Sequence, residues 1–254
     1  EGVPDELAAY TSVVTLADLI GDREPHFRQS DLFIYHYPSR HPLMESIKGI
    51  ERGAVIFYYH NVTPPELWGS EIDRDALVRG REGISLAHYA DLVLTPSPFN
   101  VDDLVVRGGL DRSRVRVLPL GVPLDQFSPG PKDIDLVRRH NLEGRRVLMF
   151  VGRMAGNKRI DVLVEALALI KARIPGVKLL LVGDCDSSPA YRDISNRARS
   201  RAAELGLKND VIFTGRVDEL PRYYRLADLS VTASLHEGFG VPLIEAMASG
   251  VPVI

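Results

Sequence analysis

Short apolar runs alternate along the chain with longer stretches in which apolar positions recur at helical spacing. Continuous apolar runs of this kind mark strands buried on both faces of a parallel sheet, and the amphipathic stretches between them mark crossover helices. The pattern predicts strands at Asp31–Tyr37, Ala54–Tyr59, Leu92–Thr95, Val115–Leu118, Val147–Val151, Lys178–Val182, Val211–Thr214 and Leu229–Ala233. It predicts a helix over Ile160–Ile174, with Val162, Leu163, Ala166, Leu167 and Ile170 on one face. An Arg-rich helix is predicted over Tyr191–Leu205.

The segment PLGVPLDQFSPGPKD carries four prolines and two glycines in 15 residues, the densest concentration of turn formers in the chain. It predicts a break between two open α/β sheets: an N-terminal domain over 1–125, a linker over 126–145 and a C-terminal domain over 146–254. Folds of this class bind ligands at the carboxyl ends of their strands, so the site is expected in strand-to-helix loops facing a cleft.

The composition, 45% hydrophobic and 26% charged in 254 residues, is that of a globular chain and excludes disorder and fibre. No apolar run is long enough to span a membrane, and a cytoplasmic location is expected. The single cysteine, Cys185, permits no internal disulfide. A net charge of −3 argues against nucleic acid, but it is unevenly spread. Residues 1–127 hold 12 Lys and Arg against 19 Asp and Glu, whereas 128–254 hold 19 against 15. A basic second half suits a small anionic ligand. The chain starts at Glu1 and ends on an apolar Val253-Ile254 pair that reads as the start of a buried strand, so a fragment trimmed at both ends is expected.

Two loops carry the chemistry. In VGRMAGNKRID, Gly152 ends a strand, and Arg153 and Lys158 precede a helix whose free N–H groups and positive dipole end favour a diphosphate. The spacing is not that of a Walker A loop. In SLHEGFGVPLIEAMASG, Pro242 marks the first turn of a helix, placing Glu237 in the loop and Glu245 inside the helix. Gly238 and Gly240 let the backbone approach a ligand, so the N–H groups of Phe239, Gly240 and Val241 could meet an anion or a sugar oxygen.

These segments resemble the C-terminal domain of family 4 retaining glycosyltransferases of the GT-B fold, which use nucleotide-diphosphate sugars. The resemblance rests on VGR…NK, on DVIFTGRV…ELPRYYRLADL and on EGFGVPLIEAMASGVPVI with its paired glutamates, and the hinge RVLPLGVPLDQFSP resembles the family's linker. AVIFYYHNVTPPELW and ADLVLTPSPFNVDDL resemble the acceptor-side domain more loosely, with His60 at the position of a histidine that lines the sugar pocket. The resemblance implies two incomplete Rossmann-like domains. It implies that Arg153 and Lys158 neutralise the leaving diphosphate, that Glu245 accepts the ribose hydroxyls, and that backbone near Arg216 and Val217 meets the nucleobase. Glu237 would face the transferred sugar, and His60 the sugar or its acceptor. It further implies no metal or other cofactor, a nucleotide-sugar co-substrate, and a glycan, lipid-linked or small-molecule acceptor. The Tyr-His-Asn-x-Thr-Pro and His-Glu-Gly-Phe-Gly segments incline the donor towards a mannose type. Arg159 departs from the pattern, since many members carry glycine after the lysine.

Other readings compete. Asp184 and Asp186 after an apolar strand could hold a metal and a nucleotide sugar in the GT-A manner. A fragment that binds a nucleotide but catalyses nothing is the alternative from another class. Arg192, Arg197, Arg199 and Arg201 form either a solvated helix face or a peripheral contact with the inner face of a membrane. Trp68 and the Tyr58-Tyr59 pair could stack on an acceptor sugar, with core burial the default for the tyrosines.

Overall fold

The computed structural model describes residues 15–20, 25–71 and 73–254. The chain divides into two compact units, one comprising 1–62 and 79–118, the other 63–78 and 119–254.

The first unit is built on four parallel strands, β1 (Leu32–Tyr37), β2 (Ala54–Tyr59), β3 (Leu92–Thr95) and β4 (Val115–Val117), in that spatial order. Short helices α1 (Leu16–Ile20) and α2 (Pro25–Gln29) precede the sheet, α3 (Arg74–Glu82) begins in the second unit and ends in the first, and α4 spans Pro98–Val106. Tyr37, Phe57, Tyr59 and Val93 are fully buried. Helix α4 starts where the sequence dictates: the Ser97 hydroxyl accepts from the Asn100 amide, and Pro98 supplies a preset φ in the first turn.

The second unit is built on β5 (Arg146–Val151), β6 (Val177–Val182), β7 (Val211–Gly215) and β8 (Leu229–Ser230), all parallel in the order β7-β6-β5-β8. Its helices are α5 (Ile134–Arg139), α6 (Ile160–Lys171), α7 (Pro189–Glu204), α8 (Leu220–Tyr224) and α9 (Val241–Ala248). Alternate residues of the central strands feed two cores. Phe150, Leu179 and Leu181 pack with Leu163, Val164 and Leu167 of α6. Met149, Leu180 and Val182 pack on the other face with Leu136, Tyr224 and Ala246. Burial of both faces is why these strands read as unbroken apolar runs. The proline-rich segment contributes Phe127, and α5 contributes Leu136, to this second core. Asp133 caps α5, its carboxylate accepting from the amides of Asp135 and Leu136.

Two predicted elements end three residues early. Helix α6 stops at Lys171 instead of Ile174, because Pro175 drives the residue before it out of helical geometry. Strand β8 is two residues long, not five. After Val231 donates to the Met149 carbonyl, the Thr232 hydroxyl bonds the Ser234 hydroxyl and accepts from the Ser234 amide, turning the chain away from the ladder. Ser230 bridges to Val253 in parallel on its other side. Among the described residues, no helix is long and apolar enough to cross a membrane.

Candidate functional site

The loop after β5 is shaped by close backbone approach. Gly152 donates to the Val182 carbonyl, and Met154, fully buried, donates to the Asp184 carbonyl, tying the loop to the end of β6. Arg153 points outward, its guanidinium donating to the Tyr191 hydroxyl at 3.0 Å and lying 5.8 Å from that ring's centre. Tyr191 rests in turn on Trp68, with ring centres 6.1 Å apart, in a small buried cluster with Ala155 and Ala190. Trp68 is therefore a core residue that props the Arg153 support, which corrects the expectation that it stacks on an acceptor sugar. Tyr58 and Tyr59 are buried too.

Gly156, Asn157 and Lys158 form a single 3-10 turn, and Arg159 follows with φ 48° and ψ 52°. This left-handed conformation is the one glycine adopts freely, so the departure at Arg159 preserves the loop geometry at a cost in local strain. A bidentate ion pair with Asp161, at 2.8 and 3.0 Å, holds the arginine there. A second loop closes over the turn. Asn157 is buried, its side-chain amide donates to the His236 carbonyl at 3.2 Å, and its own carbonyl accepts from the Leu235 amide at 2.8 Å. This clamp sets Lys158 Nζ 2.6 Å from Glu237 Oε1. Lys158 is mostly buried and Glu237 half-exposed, so the pair lies at a surface with one side in water.

Beyond Glu237, Gly238 and Phe239 lead to Gly240, whose φ of 81° turns the chain into α9. The first amides of that helix, Val241 among them, have no partner inside it. Glu245 sits one turn further on, half-buried, and accepts from the Tyr224 hydroxyl at 2.8 Å. The same hydroxyl lies 3.0 Å from the Pro242 carbonyl. Burial raises the Glu245 pKa above the ordinary carboxylate value, and the Tyr224 hydrogen bond only partly offsets this.

Arg216 follows β7, and its guanidinium donates to Asp184 Oδ2 at 2.7 and 3.2 Å. Asp184 also accepts from the amides of Ser187 and Asp186 and from the Ser187 hydroxyl. Burial opposes its ionisation, but these donors outweigh burial and hold its carboxyl well below the usual range. Its oxygens are thus spent on organising the β6–α7 loop. Val217 packs against the second core, and with Arg216, Thr214, Arg139 and Tyr223 it lines a cavity of about 420 Å³. Among the described residues, no group of three or more His, Cys, Asp or Glu is placed to hold a metal.

His60 belongs to the first unit, immediately after β2. It is half-buried, and its Nε2 lies 2.8 Å from His36 Nδ1. Burial first, then the neighbouring imidazole, lowers its pKa.

The structure therefore brings Lys158 to Glu237, Arg216 to Asp184, Glu245 to Tyr224 and Arg153 to Tyr191. Sequence reasoning named both members of the first two pairs, with another role for Asp184, and missed Tyr224 and Tyr191, because pairs 21 and 38 residues apart leave no local signal. The Arg-rich face of α7 is engaged as well: Arg201 pairs with Glu165 and Glu204, Arg197 with Asp193, and Arg199 lies 3.8 Å from the centre of the Phe213 ring.

Residues 145–254 match the family profile described as "Glycosyl transferases group 1", and residues 7–126 match that of "Glycosyltransferase Family 4". The chain is 36% identical over 169 residues to mannosylfructose-phosphate synthase of Agrobacterium fabrum, an overlap of 65% of this chain and 37% of that protein. It is 35% identical to D-inositol 3-phosphate glycosyltransferase of Nocardia farcinica over the same shares. Among solved structures, HepE of Anabaena in complex with UDP and glucose superposes with a TM-score of 0.75 at 23% identity, covering 94% of this chain and 61% of that one. Sucrose-phosphate synthase of Thermosynechococcus elongatus superposes at 0.73 and 25% identity, covering 92% and 58%. The chain thus overlaps little more than a third of the length of those curated relatives. The two parallel-sheet units and the solved neighbours define the GT-B fold, and both profiles are those of glycosyltransferases. The chain belongs to glycosyltransferase family 4. Membership in a GT-B family overturns the GT-A reading of Asp184 and Asp186, in agreement with the structural employment of Asp184.

Proposed function

We propose that the chain is the catalytic part of a retaining, metal-independent glycosyltransferase that moves a hexose from a nucleotide-diphosphate sugar to a glycan, lipid or small hydroxyl acceptor. The observation that carries this reading is the Lys158–Glu237 pair, clamped by Asn157 where two strand-end loops meet, at the sequence-matched position ahead of the α9 N-terminus. A group leaving as a diphosphate gains negative charge in the transition state, and a fixed cation beside free helix amides lowers that barrier without reorganising. In this reading Lys158 and Arg153 receive the diphosphate, with the Phe239, Gly240 and Val241 amides beside them. Glu237 exchanges its ion pair for hydroxyls of the transferred sugar. Glu245 takes both ribose hydroxyls, a carboxylate being able to accept two bonds at once. Backbone near Arg216 and Val217 meets the base, and His60 is the sugar- or acceptor-contacting side chain of the first unit. The first unit is the acceptor-side domain and the second the donor domain.

The UDP, glucose and UDP-glucose held by HepE in its solved complexes support a nucleotide-sugar donor, and the mannosylfructose-phosphate synthase relative supports a mannose-type one. Calorimetric titration with UDP, GDP and ADP, each in EDTA and then with Mn²⁺, tests the reading. One nucleotide is expected to bind in EDTA, and Lys158→Ala is expected to weaken it and to lower turnover by about 10²–10³-fold, the loss that follows removal of one preorganised donor. Binding that needs the metal, or turnover untouched by Lys158→Ala, overturns it.

A further inference from the structure

A short segment far from the β5 loop in sequence is built into the wall behind it. Residues 63–78 group with the second unit, and within them Pro65–Leu67 form a single 3-10 turn, closed where the Leu67 amide donates to the Pro64 carbonyl. Pro64 and Pro65 carry preset φ angles, so the turn presents Trp68 and Gly69 on a stiff support. The Gly69 carbonyl accepts from the Arg197 guanidinium of α7 at 3.1 Å, which ties the end of the segment down.

From this segment contacts run to several points of the loop 152–159. The Trp68 ring lies on Tyr191, whose hydroxyl accepts from Arg153. The same ring shares its buried cluster with Ala155. The Trp68 carbonyl faces Gly156, where an added Cβ would stand 1.9 Å from that oxygen and 2.7 Å from the Gly69 Cα. Gly69 has φ 73°, and a Cβ on it would lie 3.0 Å from the Gly156 Cα, so the two glycines meet backbone to backbone. Gly156 opens the turn that Lys158 ends. Both cations of the loop thus trace back to one segment, Arg153 by a ring and a hydroxyl, Lys158 by a backbone contact two residues away. The hydroxyl that orients Arg153 is neutral, so it fixes the guanidinium without cancelling its charge. Cations stabilise a developing anion without reorganising only where their neighbours already hold them.

We infer that Trp68 is a positioning residue for the donor diphosphate, fixing Arg153 through Tyr191 and Lys158 through Gly156 without touching the donor itself. The inference rests on the diphosphate role proposed above for those two cations.

Affinities for a nucleoside diphosphate and the matching monophosphate, UDP against UMP and GDP against GMP, test it in the whole chain. Their ratio isolates what the loop adds, whereas a general loss of fold or of base binding moves both affinities together. Trp68→Ala is expected to lower the ratio by about tenfold, and Trp68→Phe, whose smaller ring fills the cluster only in part, by about threefold, so the milder variant decides where the first does not fold. Tyr191→Phe keeps the ring packing and removes only the hydroxyl, and a fall of about three- to tenfold is expected, the net scale of one hydrogen bond. Because that hydroxyl acts through Arg153, Tyr191→Phe should cost little more in an Arg153→Ala background. A ratio unchanged in the Trp68 variants, or an equal fall in Tyr191→Phe with and without Arg153, overturns the inference. Arg153→Ala and Lys158→Ala separate it from the reading beneath it. If neither lowers the ratio, the diphosphate role fails and the inference falls with it; if both lower it while the Trp68 variants do not, the positioning role alone fails.

Discussion

Glu245 shows at the scale of one side chain how a half-buried carboxylate opposes the stability of the fold that holds it. Folding raises its pKa, so the folded chain binds that proton more tightly than the unfolded chain. Its contribution to stability is fully present below the ordinary carboxylate value of 4.5 and is lost as pH rises through the folded value. Glu245→Gln, which keeps an acceptor for Tyr224, should therefore gain stability relative to wild type at pH 7.5 compared with pH 4, as read by urea unfolding at both. The same substitution should weaken nucleotide binding by about tenfold or more, because the amide offers one uncharged accepting oxygen where the carboxylate offers two charged ones. The placement of Glu237 in a loop and of Glu245 inside a helix was readable from Pro242. Tyr224 was not, because nothing in ELPRYYRLADL marks which tyrosine hydroxyl finds a carboxylate partner 21 residues away. Arg159 was readable as an irregularity in the sequence, but its left-handed φ and the Asp161 fork that holds it belong to the folded loop.

Elements are joined in the second unit by glycines at strand ends, two of which make opposite demands. Gly183 follows β6 with φ 133°, and a Cβ there would lie 2.2 Å from the Gly152 carbonyl oxygen, a backbone atom that cannot step aside. Gly215 ends β7 with φ 73° and open space around it. Gly183→Ala should cost on the order of 2–4 kcal/mol and Gly215→Ala about 1–2 kcal/mol, since the first adds a clash to the strain and the second adds strain alone. Thermal unfolding of the two variants side by side checks the ordering. Most strand positions were legible because β5 and β6 are covered on both faces and so carry apolar residues without a break. The early end of β8 was not, because Val231, Thr232 and Ala233 are good strand formers, and a hydroxyl pair two residues apart decides the matter.

At the scale of the whole chain, each unit has its own parallel sheet, and the loops proposed to hold the donor all belong to the second. Nucleotide should therefore slow amide exchange in the loops 152–159 and 235–245 and in β5 and β6, and leave β1 to β3 at their ligand-free rates; hydrogen-exchange mass spectrometry with and without UDP or GDP reads this. The sequence marked the hinge by its prolines, but it did not show that 63–78 groups with the second unit, since Trp68 lies 123 residues from the tyrosine it supports and only the assembled fold brings them together. The Lys158–Glu237 pair has a consequence for what such a site refuses. A carboxylate tethered 2.6 Å from the cation is a resident competitor whose effective concentration, for a short connection, is millimolar or above. Inorganic phosphate must displace it and offers the freed glutamate nothing in return. In the proposed donor site a sugar-bearing donor would bring hydroxyls with it, so the displaced carboxylate would be satisfied by the same molecule that evicts it, and bare anions would be held off before any chemistry begins.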